Sequence, residues 1–381
     1  MSLSANPPPA IARFSHAVPY WLSLGLVPLA LMAILKGGLW IVSVPVAAWW
    51  LFIVLDSTTA PNLDNEDPNT ASDQLFWYRL ITLIWFPIQA ALVLLALATV
   101  PGSEAFSALE KVFIFFGLGI LSGTIGIVYA HELMHQKSRL ERWLADLLMA
   151  SVFYSHFRSE HLLVHHRYVG TPKDAVTARY NEGFHHYFAR VVPACFTSAL
   201  RAEAAMLRRK GATPWARQNP FWRYAALQLA WAGIALALGG GIGLLLLLVT
   251  AATAIWQLEL VNYVEHYGLT REHLGDGKYE NTKPRHSWNA NERTSNWLLI
   301  NLQRHSDHHF KPDRRFPLLQ SYDADEAPQL PNGYALMTIC ALIPPLWFRI
   351  MNPRVRAWRR KFYPHITDWS AYKTATTPMP R

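Results

Sequence analysis

Apolar residues in this chain are bunched into long runs instead of recurring at amphipathic helix or strand intervals. Six runs approach or reach the roughly twenty residues that a bilayer crossing needs: 18–35, 39–55, 76–100, 112–130, 222–238 and 242–260. They pair as three hairpins. The turns at Lys36-Gly37-Gly38 and Gly239-Gly240-Gly241 are tight, and 101–111 is only slightly longer. A buried soluble helix would explain one such run, but not six of them, one with five consecutive leucines at 244–248. The pattern predicts an all-α integral membrane protein with six transmembrane helices and a helical cap. Residues 18–270 form the transmembrane domain, interrupted by a polar insertion at 136–221. Residues 1–17 precede it, 271–350 form the cap, and 351–381 read as a tail whose end, TATTPMPR, has linker composition.

Charge fixes the orientation. The chain of 381 residues carries a formal net charge of +9, with thirteen Lys or Arg in 136–221 and seventeen in 271–381. The three short turns hold only Lys36 and Lys111. Because bases are retained on the cytoplasmic side, both termini and both polar regions are expected in the cytoplasm. The loop 56–75 fits least well, with five acids and no base, yet parity puts it on the same side. The basic balance follows topology and anionic lipid, and no nucleic-acid motif accompanies it. With only Cys195 and Cys340, there is no CxxC pair and no disulfide framework. The first residues lack the short apolar core of a cleaved signal peptide.

Nine of the sixteen histidines fall in four tight groups: His131 and His135 in HELMH; His161, His165 and His166 in HLLVHH; His266; and His305, His308 and His309 in RHSDHH. Residues at i, i+3 and i+4 share a helix face, so the pairs 131/135 and 161/165 each suit one ion. Adjacent residues diverge by about 100°, so each HH doublet can serve two ions, which favours a dinuclear site. Parity places all nine at the cytoplasmic end of the bundle. Imidazole donors suit Zn, Cu, Fe or Ni. The acids beside ligands, Glu132, Glu160, Glu265 and Asp307, are candidates to orient the rings from behind. HELMH alone fits a zinc protease, but three further groups are surplus to a single zinc. A metal transporter would hold its ligands near the midplane, not at one face.

The strings HELMH, EHLLVHH, NYVEHYGL (262–269) and LQRHSDHH, with KPRHSWN (283–289), resemble those of the integral-membrane non-haem di-iron alkane 1-monooxygenases. Membrane fatty-acid desaturases and related hydroxylases share the HxxxH and HxxHH style, and a desaturase or hydroxylase of that wider group is the alternative. The resemblance covers the chain from the second span to about Arg349. It implies a membrane domain capped by two iron ions on nine histidines, O2 as co-substrate, and medium-chain linear alkanes hydroxylated to 1-alkanols in a bacterial inner membrane. It also implies electrons from a rubredoxin, separate or fused beyond Arg381, reduced by an NADH-linked reductase. Arg139, Arg142, Arg304, Lys311, Arg314 and Arg315 form the expected basic face for that acidic carrier. Trp49 and Trp50, about 9 to 10 Å below the end of the second span, are candidates to close a substrate channel. Being adjacent, only one is expected to face it.

Overall fold

The computed structural model describes residues 10–369, with side chains from Phe14 onward; TATTPMPR lies outside the described residues. The apolar helices Phe14–Lys36, Gly38–Thr58, Ser72–Thr99 and Ala108–Met134 are long enough to cross a membrane and form spans one to four. The fifth and sixth expected helices form one run, Phe221–His266, broken at Gly240, where φ is +61°. Only a residue without a Cβ adopts that conformation cheaply. A Cβ on Gly243 would sit 2.7 Å from the Ala235 carbonyl oxygen, whereas eight residues of straight helix would hold the two about 12 Å apart. The run therefore folds back on itself as spans five (221–239) and six (241–266).

The three turns meet at one end of the bundle. The Gly38 N–H donates to Glu110 at 2.9 Å, and Gly239 packs against Pro101 so closely that a Cβ would come within 2.7 Å. Glu110 also closes a capping box with Ser107 at the start of span four. At the opposite end, the acid-rich loop after span two is held by the cap. Asp56 accepts from the Thr294 hydroxyl at 2.5 Å and the Ser295 N–H at 3.0 Å, and the Asn62 N–H donates to Asn291 at 2.8 Å. The loop needs no bases of its own because the cap supplies donors. The structure thus puts it on the histidine side, as parity required.

Three features depart from the expected plan. The stretch 271–333 is largely extended and irregular, with a small antiparallel ribbon pairing His273–Gly275 with Lys278–Tyr279, so the cap is a wrapping strap more than a helical layer. Beyond it, Tyr334–Ala341 turns through 120° into Pro344–Phe362. The first of these short helices dips beside spans two and six; its apolar length suits a re-entrant segment and not a crossing. The boundary expected at 350/351 falls inside the second helix, where Met351, Val355 and Trp358 are buried, so 351–362 is packed structure and not linker. Within 136–221, Phe184–Arg209 is a long amphipathic helix that buries Tyr187, Val191, Cys195, Ala199, Glu203 and Leu207 at helical spacing.

Candidate metal centre

The nine histidines picked out by spacing come together at the cap end of the bundle in two groups. His131, His135, His161, His166 and His308 form one; His165, His266, His305 and His309 form the other. Within each group the nearest ring nitrogens all lie within 4.8 Å of one another. Spans four and six deliver ligands directly as they end, at His131 and His135 and at His266. The helical turns His161–His165 and His305–Phe310 supply the others. Among the described residues, the remaining histidines lie outside both groups: His185 meets the Leu342 carbonyl, His365 meets Glu272, and His286 is buried against Tyr363 and Glu280.

The division corrects one expectation about pairing. His161 and His165, four apart, do not share a group; His161 joins His166, with the two Nε2 atoms 2.9 Å apart. The cause is local. Residues 161–165 form a π-helical turn, in which i and i+5 align instead of i and i+4. In the last cluster, His305 and His309 stay together as a regular α-helix requires, while His308 crosses to the other group. Both HH doublets are split, one ring to each site.

Ring nitrogens converge in a way that imidazoles alone do not satisfy. Nε2 meets Nε2 at 3.0 Å between His135 and His161, 3.1 Å between His166 and His308, 3.0 Å between His305 and His309, and 3.2 Å between His266 and His305. Two nitrogens in contact can share at most one proton, so several lone pairs in each group point at a common centre. Burial, reinforced by neighbouring rings, holds His161, His166, His305, His308 and His309 well below the ordinary histidine range, and His135 at about 3. Neutral, buried, convergent imidazoles are the donor set a divalent transition metal requires, so the residues fit two such ions.

The acids behave differently from expectation. Asp307 is occupied by Arg314 at 2.5 Å, Tyr322 at 2.7 Å and the Gln320 N–H at 3.1 Å, and Glu132 takes the Gln136 amide at 3.0 Å. Each sits beside a ligand in sequence, and a helix turns neighbours about 100° apart, so these two brace the cap and not the rings. Glu265 alone of the four approaches a ligand, its Oε2 lying 3.3 Å from His305 Nε2. Glu160 is wholly buried with neither oxygen hydrogen-bonded, and burial beside Asp174 and Glu259 raises its carboxyl well above the usual range. The acid that orients a ring is Asp174, which accepts from His165 Nδ1 at 3.0 Å and is itself fixed by Thr177 and the Val176 N–H. It lies nine residues from His165 in an irregular loop, where spacing carries no signal.

Two openings reach the histidines. From the membrane side, a narrow apolar cavity runs between spans two, four and six and the re-entrant helix. His131 and His161 of one group and His305 of the other close its upper end. Trp49 lines it and stacks edge-on to Trp256 at 5.9 Å, whereas Trp50 points outward and is 58% exposed. From the cap side, a polar cleft bordered by Arg79, Lys137, Lys311, Arg314 and Arg315 reaches His135. The expected basic face is only partly there: Arg304 is buried, donating to the Leu319, Asn62 and Asp64 carbonyls, and Arg315 is paired with Glu141.

Residues 107–340 match the fatty acid desaturase family. The chain is 37% identical to Alkane 1-monooxygenase 1 of Pseudomonas aeruginosa over 84% of each chain. It is 35% identical to Alkane 1-monooxygenase 2 of the same organism, over 87% of this chain and 95% of the relative. To the Alkane 1-monooxygenase of Pseudomonas putida it is 36% identical, over 82% and 77%.

Proposed function

This chain belongs to the fatty acid desaturase family, in the branch of the alkane 1-monooxygenases, and from that premise we propose that it hydroxylates the terminal methyl of medium-chain linear alkanes at a di-iron site. The observation that carries the proposal is the apolar cavity whose upper end is closed by histidines of both groups. An alkane offers no polar handle, so it can be held only by shape and apolar burial, about 0.8 kcal/mol for each methylene. A cavity sunk in the bundle and ending at the ligands provides both, and it places the terminal methyl against the metals.

The nine histidines are the proposed ligands, five for one iron and four for the other. Irons held there would supply the reductive activation of O2, in which one oxygen atom goes into the C–H bond and the other becomes water at the expense of two electrons and two protons. The protein's part is positional. Asp174 fixes the His165 ring, burial keeps His135, His161, His166, His305, His308 and His309 neutral, and the cavity wall excludes water from the methyl. In the proposed orientation the site and both termini face the cytoplasm of a bacterial inner membrane. The electrons come from a rubredoxin reduced by an NADH-linked reductase, and the basic cleft at His135 is where a small acidic carrier would draw near.

The test is direct. Purified protein with iron, a rubredoxin system, O2 and mixed linear alkanes is expected to yield 1-alkanols carrying label from ¹⁸O2. Alkenes in place of alcohols, or unlabelled alcohol, would overturn the reading.

A further inference from the structure

A separate cavity opens between the loop 170–180, the amphipathic helix Phe184–Arg209 and the helix Pro344–Phe362. Its charge is one-sided: Lys173, Arg179, Arg190, Arg201 and Arg359 line it, against the single acid Asp174. Nearby acids do not cancel the excess. Asp174 is spent on His165, Thr177 and the Val176 N–H, and Glu182 holds Arg190 at 2.8 and 2.9 Å while accepting the Arg179 backbone N–H at 2.9 Å.

What remains is positive charge with donors to spare. Arg179 is half-buried, and its guanidinium makes no hydrogen bond or ion pair among the described residues, yet its nitrogens stay open to the cavity. Burial, and then the Arg190 charge, lowers its pKa from the ordinary arginine value. Bases that serve only membrane topology keep their heads in water; this one is set beside a second guanidinium with no carboxylate of its own. Lys173 is exposed and gives one of its three protons to the Gly277 carbonyl at 3.0 Å. Arg201 is exposed at the mouth, and Arg359 closes the wall between the rings of Tyr180 and Trp369, 4.5 and 4.3 Å from their centroids.

We infer that this cavity is a site for a phosphate group, held by Arg179 with Lys173 and Arg201 at its mouth. Guanidinium forks match phosphate oxygens two at a time, and an ammonium adds a point charge. The site is independent of the reaction at the metals. The amphipathic helix indicates where the phosphate comes from: Ala194, Thr197, Ser198 and Arg201 face the cavity, while Phe196, 46% exposed, leaves the other edge and meets Phe221 at the start of span five. The apolar edge therefore meets lipid and the cavity edge meets water, which favours a phosphorylated solute over a lipid headgroup.

The test uses the full protein in phosphatidylcholine nanodiscs, with ³²P-labelled inorganic phosphate as the probe in equilibrium dialysis against chloride at matched ionic strength. Saturable binding at one site is expected, weakened about tenfold or more by Arg179→Gln and about threefold by Arg201→Gln. Arg201 is exposed, so its variant reads binding even if Arg179→Gln fails to fold. Nanodiscs that also contain phosphatidic acid separate the sources. Unchanged phosphate binding there assigns the site to a solute, whereas displacement of the probe assigns it to a lipid headgroup, and either supports a phosphate site. No saturable binding in phosphatidylcholine, or equal affinity in the parent and both variants, overturns the inference. Turnover is not a readout, so failure of the alkane-oxidising reading leaves this test standing.

Discussion

The two approaches to the histidines are built from opposite materials. The cavity from the membrane side is walled by Leu258, Val261, Leu298, Leu299 and Ala335, and it touches both histidine groups. The cleft from the cap side is walled by Arg79, Lys137, Lys311 and Arg315, and it touches His135 of the five-membered group. An apolar molecule and a charged carrier can therefore reach one site without competing for the same surface. The difference also predicts which changes act on the site itself and which act on only one approach.

The largest effect belongs where the approaches meet. His161→Ala and His305→Ala each remove a ring from one group, and each is expected to lower turnover by more than ~100-fold with loss of metal confined to its own site. Metal analysis together with alcohol yield checks this, and two full equivalents of iron in either variant would unseat that residue as a ligand. Next comes Asp174→Asn, which weakens the hold on the His165 ring. It is expected to lower metal affinity by about 10- to 100-fold at the four-membered site alone, measurable as two-phase release to a chelator. Equal release from both sites would mean the groups are not independent.

On the membrane approach, Trp49→Ser should open the cavity and shift preference toward longer alkanes, by about fourfold for each further methylene accommodated. Trp50→Ser should leave the length profile as it was. A shift of similar size in both variants would show that the bundle has loosened and that no gate was removed. The smallest effect is on the cap approach: the carrier-dependent rate should fall as ionic strength rises through the range where the Debye length shrinks below about 10 Å. Alkane binding should not change with it. A salt-independent rate would leave the cleft's charge without a role in encounter.

Much of this was legible in the sequence because its signals are one-dimensional. Six long apolar runs need only length and composition to be read, and they return as spans one to six. The nine histidines declare themselves by spacing and parity. What escaped depends on the third dimension. Which ring joins which group turns on the π-helical turn at His161–His165, and nothing in HLLVHH distinguishes that turn from α. Asp174 reaches His165 from a loop, and the strap at 271–333 has no periodicity to read. Adjacency dictated that only one of Trp49 and Trp50 face the cavity, but not which.

The π turn at His161–His165 makes the ligand motif a matter of residue count as well as residue type. His161 and His166 meet across five steps because the helix is locally underwound by one residue. A regular α-helix would bring the same two rings together across four steps, and would then be spelled HxxHH instead of HxxxHH. The two spellings, which look like different motifs when aligned letter by letter, describe one arrangement in space. The extra residue behaves as an insertion that the backbone has absorbed without moving the ligands. Deleting Leu162 should thus be gentler on the His161 and His166 pair than adding a residue anywhere between them, and comparisons that gap these strings at the helix bulge will align rings with rings.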